Sequence, residues 1–216
     1  MIETKIPLIL KLRRTQQKEV AKAQDIITDT LFNTIEKAVM HGGTSIWRCY
    51  KGNRFSEDID VYLPKDKEKI ELFFLKLKEK GFIQLKKKIS DTSIFSSFEF
   101  NRINVKFEAI FKDIKGILKN YEKSDSNLIL INTLSAEELI KEKIQTYLSR
   151  LKIRDLYDVF YLLRYVSDKN KIKKELQILL KEFKNPLDEK DLKILIIEGL
   201  TPNVNSMLNF IQGEIK

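Results

Sequence analysis

Gly42-Gly43-Thr44-Ser45, followed fourteen residues after the threonine by Asp58-Ile59-Asp60-Val61-Tyr62-Leu63, is the stretch on which the fold turns. The whole chain has seven glycines, so two in succession mark a tight turn that needs a bare backbone. From Phe55 to Leu63 the residues alternate: Ser56, Asp58, Asp60 and Tyr62 on one side, Glu57, Ile59, Val61 and Leu63 on the other. Ile59, Val61 and Leu63 anchor the strand to a core, both aspartates project from the opposite face, and Pro64 closes it. A side-chain-free loop beside two carboxylates at i, i+2 is the residue set that metal-dependent phosphate transfer requires. Backbone N–H groups of Gly42-Gly43-Thr44 and a hydroxyl of Thr44 or Ser45 suit a triphosphate; Asp58 and Asp60 suit Mg²⁺, with Mn²⁺ as a substitute.

Outward from this stretch, Gln17 to Val39 reads as one long helix with Val20, Ile27, Leu31, Ile35 and Ala38 at helical spacing. A short extended piece ends at Met40-His41, and Thr44 to Lys51 forms a brief helix stopped by Gly52. Downstream, Asp66 to Lys80 is amphipathic, with Ile70, Phe73, Phe74 and Leu77 on its buried face and Gly81 after its end. Strands follow at Phe82–Ile89, Ser93–Phe100 and Ile103–Phe111, the last two joined by a turn at Asn101-Arg102. On the third, Val105, Phe107 and Ala109 share one face and Asn104, Lys106 and Glu108 the other. Glu108 is therefore the candidate third carboxylate, as metal ligand and as base.

Beyond Asp113 the character becomes helical. Ser135 and Glu138 have capping-box spacing. Helices are expected from Glu137 to Arg150 and from Arg154 to Val166, with Leu156, Val159, Phe160 and Leu163 as the core stripe of the second. Two more are expected at Lys171–Lys184 and Glu189–Glu198, separated by Asn185-Pro186. The fold class is α+β: a mixed or antiparallel sheet with flanking helices over residues 1–120, then an all-helical half over 121–216 that completes a cleft.

The net charge of +9, from 40 Lys/Arg against 31 Asp/Glu, suits an anionic partner such as nucleotide or nucleic acid. The basic residues are also spread among glutamates, which reads equally as a lysine-rich surface. One cysteine, Cys49, excludes an internal disulfide, fits a reducing compartment and, with a single histidine, leaves no zinc site. No apolar run approaches the roughly 20 residues of a membrane span. Met1-Ile2-Glu3-Thr4-Lys5 lacks the layout of a secretory signal, so a cytoplasmic protein with no membrane partner is expected.

Each element has a plainer reading. Gly-Gly can be only a turn, Ser56 to Asp60 a solvated strand edge, and Glu108 a partner of Lys106. Lys86-Lys87-Lys88 reads as a solvated edge or as a track for an RNA backbone. Lys143, Tyr147 and Arg150 share a helix face; Arg154 faces Asp158 at i, i+4, with Asp155 beside it. That cluster is either a surface salt-bridge ladder, or a site in which Lys143 contacts phosphate and the Arg154–Asp158 pair fixes the geometry.

His41-Gly42-Gly43-Thr44-Ser45, Arg54-Phe55-Ser56-Glu57-Asp58-Ile59-Asp60, Leu134-Ser135-Ala136-Glu137-Glu138-Leu139 with Glu142-Lys143-Ile144, and Arg154-Asp155-Leu156-Tyr157-Asp158 occur in that order. Together they resemble the AbiEii-type nucleotidyltransferase toxins of type IV toxin–antitoxin systems, within the DNA-polymerase-β-like superfamily. The resemblance spans about residues 38 to 165 and implies a nucleotidyltransferase-like sheet. It implies an NTP-dependent enzyme that transfers a nucleoside monophosphate to an acceptor, with the 3′ end of tRNA as one acceptor, and a cognate antitoxin partner. It implies phosphate binding by Gly43, Thr44 and Lys143, Mg²⁺ at Asp58 and Asp60, and an essential role for Asp158. Taken with the residue reading, nucleotide binding is expected of Gly42, Gly43, Thr44, Ser45, Lys143 and Arg154, metal binding of Asp58, Asp60 and Glu108, and a catalytic role of Asp58, Asp60, Glu108, Lys143 and Asp158. The chain ends soon after the core helices, which implies a minimal acceptor-binding region. Two other readings remain open: a catalytically silent nucleotide- or RNA-binding regulator, and transfer to a small molecule or a protein hydroxyl.

Overall fold

The alternating run that begins at Ile59 forms the central strand of a seven-stranded mixed sheet. The computed structural model describes residues 6–215; the opening Met1-Ile2-Glu3-Thr4-Lys5, read above as unlike a secretory signal, lies outside the described residues. In chain order the elements are α1 (Leu8–Lys11), α2 (Thr15–Phe32), β1 (Val39–His41), α3 (Gly42–Cys49), β2 (Ile59–Leu63), α4 (Lys67–Glu79), β3 (Ile83–Ile89), β4 (Ser93–Phe100), β5 (Ile103–Phe111), β6 (Ile117–Glu122) and β7 (Leu128–Thr133). Then come α5 (Ala136–Arg150), α6 (Ile153–Leu162), α7 (Lys173–Lys181), α8 (Leu192–Leu195) and α9 (Val204–Gly213). The chain divides into two compact units. The first runs to Lys51 and resumes over Ser56–Thr133; the second takes Gly52–Phe55 and everything from Leu134 onward.

In the first unit the sheet order is β3-β4-β5-β2-β1-β7-β6. β2 lies parallel to β5 and antiparallel to β1, β1 is parallel to β7, and the outer pairs are antiparallel. Ile59, Val61 and Leu63 are buried together with Val105, Phe107 and Ala109. α2 packs on β5 and on α4, and the Phe73 ring of α4 lies 5.1 Å from Phe107. Each of these side chains larger than alanine contributes about 1.5–3 kcal/mol on burial. A one-residue slip would exchange these side chains for Asp60 and Glu108, so the register is strongly held. Asp66 caps α4 by accepting from the Lys69 N–H at 3.1 Å. Asn101 and Arg102 both have positive φ, 48° and 64°, the geometry of a two-residue hairpin turn.

Several elements of the first unit depart from the sequence reading: α1 has no counterpart in it, and α3 spans Gly42–Cys49 rather than Thr44–Lys51. α2 ends at Phe32, and turns rather than helix lead to β1. Ile35 and Ala38 remain buried there, so their helical spacing reports burial and not helix. β2 begins at Ile59, not Phe55: Phe55 belongs to the second unit, and the carbonyls of Ser56, Glu57 and Asp58 accept from the side chains of Gln24 and Thr44. Finally, β6 and β7 form a hairpin where the break between halves was expected, and the unit boundary falls after Thr133 rather than near residue 120. Leu118, Leu128 and Leu130 are exposed on this outer hairpin, which removes the one-sided alternation that marks a strand.

In the second unit Ser135 and Glu138 form the expected capping box, and left-handed Leu151 turns the chain from α5 into α6. The Glu137 carboxylate accepts from Ser167 N–H at 2.9 Å, Ser167 Oγ at 2.7 Å and Asp168 N–H at 3.2 Å. α9 has no counterpart in the sequence reading; it buries Met207 and Ile211 and packs on α6. The unit is not purely helical. The helix expected over Glu189–Glu198 is reduced to a 3₁₀ turn and α8, after which Ile196 bridges to Arg54. Phe55 N–H donates to Leu195 C=O and Ile197 N–H to Asn53 C=O, which ties Gly52–Phe55 into this unit. Among the described residues no helix is long and apolar enough to cross a membrane.

Candidate active site

Strand pairing lines up the polar residues of the first unit. His41 pairs with Asp60, and Asp60 pairs with Glu108, on three adjacent strands. Directly paired positions point the same way and neighbouring strands lie about 4.8 Å apart. The three side chains therefore emerge together on the face opposite the buried Ile59, Val61 and Phe107. Asp58 stands two residues before Asp60 on that same face, and Lys106 Nζ lies 3.8 Å from its Oδ1. Partial desolvation of the Glu108 carboxyl, then the negative charges of Asp60 and Asp58, raise its pKa above the ordinary glutamate value; Lys106 and His41 offset part of this. The residue as a whole is exposed, so its carboxylate neighbours are the cause that the register supports most directly.

Gly42 accounts for the first of the two glycines. Its φ is +70°, and a Cβ built there would stand 2.2 Å from Asp60 Oδ2. Any side chain would therefore push the carboxylate away. α3 starts here, so its first amides have no intrahelical acceptor and its positive end faces the aspartates. The hydroxyls behave otherwise than expected. Thr44 Oγ donates to the Asp58 carbonyl. Thr133 Oγ1 donates to Met40 C=O at 2.8 Å, which leaves Ser45 Oγ to donate to Thr133 at 2.6 Å. Both Thr44 and Ser45 are fully buried, so their hydroxyls brace the start of α3 and are not presented to a triphosphate.

Gln24 is a residue that the sequence reading missed. Fully buried on α2, it donates from Nε2 to the carbonyls of Ser56 and Glu57, each at 3.0 Å. With Thr44 on the next carbonyl, three successive backbone oxygens leading to β2 are held by side chains. The available signal was a glutamine one turn from Val20 and three residues before Ile27, a polar group on an apolar stripe.

The second unit assembles the other cluster around Asp158. Arg54 grips its carboxylate at 2.5 and 2.6 Å, and Lys143 Nζ lies 2.8 Å away. Lys143 also reaches Asp155 at 3.4 Å, and Arg150 holds Asp155 at 2.7 and 2.8 Å. Asp155 and Asp158 are completely buried. The partner of Asp158 is thus Arg54, not Arg154 as helical spacing suggested. Half-buried Arg154 makes no hydrogen bond or ion pair among the described residues. Tyr147 leaves the cluster and donates to Lys184 C=O at 2.6 Å.

Among the described residues no three His, Cys, Asp or Glu side chains close around one point as a ready metal cage. The donor set still fits Mg²⁺, which is held by one or two carboxylates with substrate phosphates completing its shell. Hard oxygens of Asp58 and Asp60 match that pattern, and Mn²⁺ accepts the same donors. A cavity of about 620 Å³ beneath α4, lined by Phe74, Phe82 and Phe98, opens on the opposite face of the sheet and holds none of these carboxylates.

Three solved structures share this fold. JHP933 from Helicobacter pylori superposes with a TM-score of 0.67 at 18% identity, over 94% of this chain and 92% of that one. MenT4, a nucleotidyltransferase toxin from Mycobacterium tuberculosis, gives 0.65 at 17%, over 96% and 86%. A putative nucleotidyltransferase from H. pylori gives 0.64 at 19%, over 94% and 96%. At such identities the likeness establishes the fold. No curated protein matches the sequence. The family described as nucleotidyl transferase AbiEii toxin, type IV toxin–antitoxin system, matches residues 31–213. With all but its ends matched, the chain belongs to the AbiEii nucleotidyltransferase toxin family and is a nucleotidyltransferase.

Proposed function

We propose that the protein transfers a nucleoside monophosphate from an Mg²⁺-bound NTP to the 3′ hydroxyl of an RNA, with tRNA as the acceptor class, and that a cognate antitoxin restrains it. The observation that carries this reading is the Gly42–Asp60–Glu108 arrangement: a glycine Cα against one carboxylate, and a second carboxylate in register beside it. Asp58 and Asp60 hold the metal, with Glu108 adjoining. When bound, Mg²⁺ neutralises triphosphate charge and polarises the α-phosphate. Amides of Gly42, Gly43 and Thr44 at the start of α3 take the phosphate oxygens. The acceptor oxygen attacks the α-phosphorus in line, the bond to the β-phosphate oxygen breaks, and pyrophosphate leaves. The hydroxyl proton passes to Glu108, whose raised pKa makes it a better base than an ordinary carboxylate.

In the second unit half-buried Arg154, which makes no hydrogen bond or ion pair among the described residues, is the proposed phosphate contact. Lys143 serves phosphate only by exchanging one of its two carboxylates, and Asp158 acts by holding Arg54 and Lys143 in place. The test supplies each α-³²P-NTP with purified tRNA, cell protein or metabolites in separate reactions. Label in a band of tRNA length, lost on chelation, restored by Mg²⁺ and absent in Asp58→Ala and Asp60→Ala, supports the reading. Undiminished transfer in either variant refutes it.

A further inference from the structure

The line of paired residues does not stop at Glu108. Phe95 pairs with Glu108, and Lys88 pairs with Phe95. His41, Asp60, Glu108, Phe95 and Lys88 therefore form one row across β1, β2, β5, β4 and β3, all pointing to the same face. A second row lies alongside: Lys86 pairs with Ser97, Ser97 pairs with Lys106, and Lys106 reaches Asp58. Lys86, Lys88 and Lys106 are exposed and Phe95 is half-buried. The Lys86 ammonium stands 5.1 Å from the centre of the Phe95 ring.

β3 is the outermost strand, so both rows run from the aspartates to the sheet's edge. Three strand spacings, about 14 Å in all, separate Asp60 from Lys88. Charge changes sign along the way, from carboxylates to lysines, with an aromatic ring between them. Lysines flanking a ring on an open sheet bind a single nucleic acid strand: phosphates on the cations, a base on the ring. An acidic polypeptide would use the lysines but would meet Asp58, Asp60 and Glu108 as like charges at the other end. An RNA terminus brings a neutral hydroxyl there and leaves its phosphates behind on the lysines.

We propose that the β3–β4–β5 face is the track for the single-stranded 3′ end of the acceptor RNA. Lys86 and Lys88 take backbone phosphates, Phe95 stacks under a base near the terminus, and the terminal hydroxyl arrives at Asp60 and Glu108. This rests on the transferase reading of the carboxylates and adds the path by which the acceptor reaches them.

The experiment measures binding of a fluorescent 12-nucleotide single-stranded RNA to the full chain by anisotropy, as a function of salt, beside Mg²⁺–NTP binding. Lys86→Glu/Lys88→Glu is expected to weaken RNA binding more than tenfold and to lower the salt slope by roughly 1.4, two contacts at about 0.7 each. Phe95→Ala is expected to weaken it about tenfold with the slope unchanged, and Phe95→Trp to retain it. NTP binding stays at the wild-type level in all three. Asp60→Asn separates the two ideas: it loses transfer and keeps RNA binding. RNA binding unaffected by Lys86→Glu/Lys88→Glu and Phe95→Ala overturns the track while leaving the transferase reading intact. So does an equal loss in Lys173→Glu/Lys174→Glu, which changes net charge identically in the second unit. Tighter binding of single-stranded DNA of the same sequence overturns the choice of RNA. A wild type that transfers nothing to RNA, but whose binding follows the variants as expected, keeps the track and overturns the transferase reading.

Discussion

Arg54 and Asp158, 104 residues apart in sequence, meet as a buried two-point ion pair, Nε on Oδ1 at 2.5 Å and Nη2 on Oδ2 at 2.6 Å. Burial pushes the Asp158 carboxyl up, but Arg54 and Lys143 together outweigh it and hold it below the usual aspartate value. The folded state thus favours the ionised form. The resulting stability is present above the unfolded value near 3.9 and is lost as pH falls through the lower folded one.

Asp158→Asn leaves the Arg54 guanidinium buried without its counter-charge. Urea unfolding at pH 7 is expected to show a loss of about 3–5 kcal/mol. The gap between wild type and variant should hold above pH ~4 and narrow in stronger acid. A variant as stable as wild type at pH 7 would show that the pair is not what holds α6 to Gly52–Phe55.

Gly42→Ala places a methyl where Asp60 Oδ2 now stands and forces an alanine to φ +70°. The left-handed backbone alone costs on the order of 1–2 kcal/mol. Transfer should fall about 100-fold or more, because an ångström of misplacement at the reacting groups costs that much. Thermal melting and a labelled-NTP assay on one preparation separate the two effects; full activity contradicts the close approach of loop and carboxylate.

Gln24→Leu removes the donors to the Ser56 and Glu57 carbonyls without emptying the site. Two part-buried acceptors lose their partner, at about 1 kcal/mol each. The segment bearing Asp58 loosens, so the Mg²⁺ concentration for half-maximal transfer should rise several-fold. A purely structural glutamine would lower the melting temperature and leave that concentration unmoved.

Glu137 offers a second pH readout, in the second unit. Desolvation raises its pKa, but the hydrogen bonds from Ser167 and Asp168 prevail and bring it from 4.5 down to about 2. Its contribution is complete above pH 4.5 and disappears as pH falls through about 2. Glu137→Gln is expected to lose about 1–3 kcal/mol at neutral pH. Unfolding curves at pH 7 and pH 3 check this, and an offset equal at both would argue against an ionised Glu137 as the anchor of Ser167.

Local patterning made much of this legible. Ser93–Phe100 and Ile103–Phe111 alternate cleanly because one face is buried and the other open, and both strands have the bounds that the alternation indicates. The Ser135–Glu138 box marks the start of α5 through contacts within four residues. What stayed hidden depends on long-range pairing. Nothing near Asp158 in sequence indicates Arg54, and the i, i+4 rule favoured Arg154 because it considers only one helix. Thr44 and Ser45 have the residue types of a phosphate site, yet their hydroxyls are claimed by the Asp58 carbonyl and by Thr133, which only the folded chain brings near. The β6–β7 hairpin was lost because its outward leucines erase the alternation. Toxin-family membership was read from the order of the motifs, and the family match bears it out.

The passage of Gly52–Phe55 through the second unit determines where such a gene can be cut and rejoined. A fragment beginning at Leu134 would carry Asp158 without Arg54, and one ending at Thr133 would retain an arginine whose carboxylate is gone. Exchange of the helical unit between two relatives has to carry these four residues along with it, from inside the partner's coding sequence. A single crossover cannot do that, so a chimera that exchanges the helical unit needs three junctions, not one.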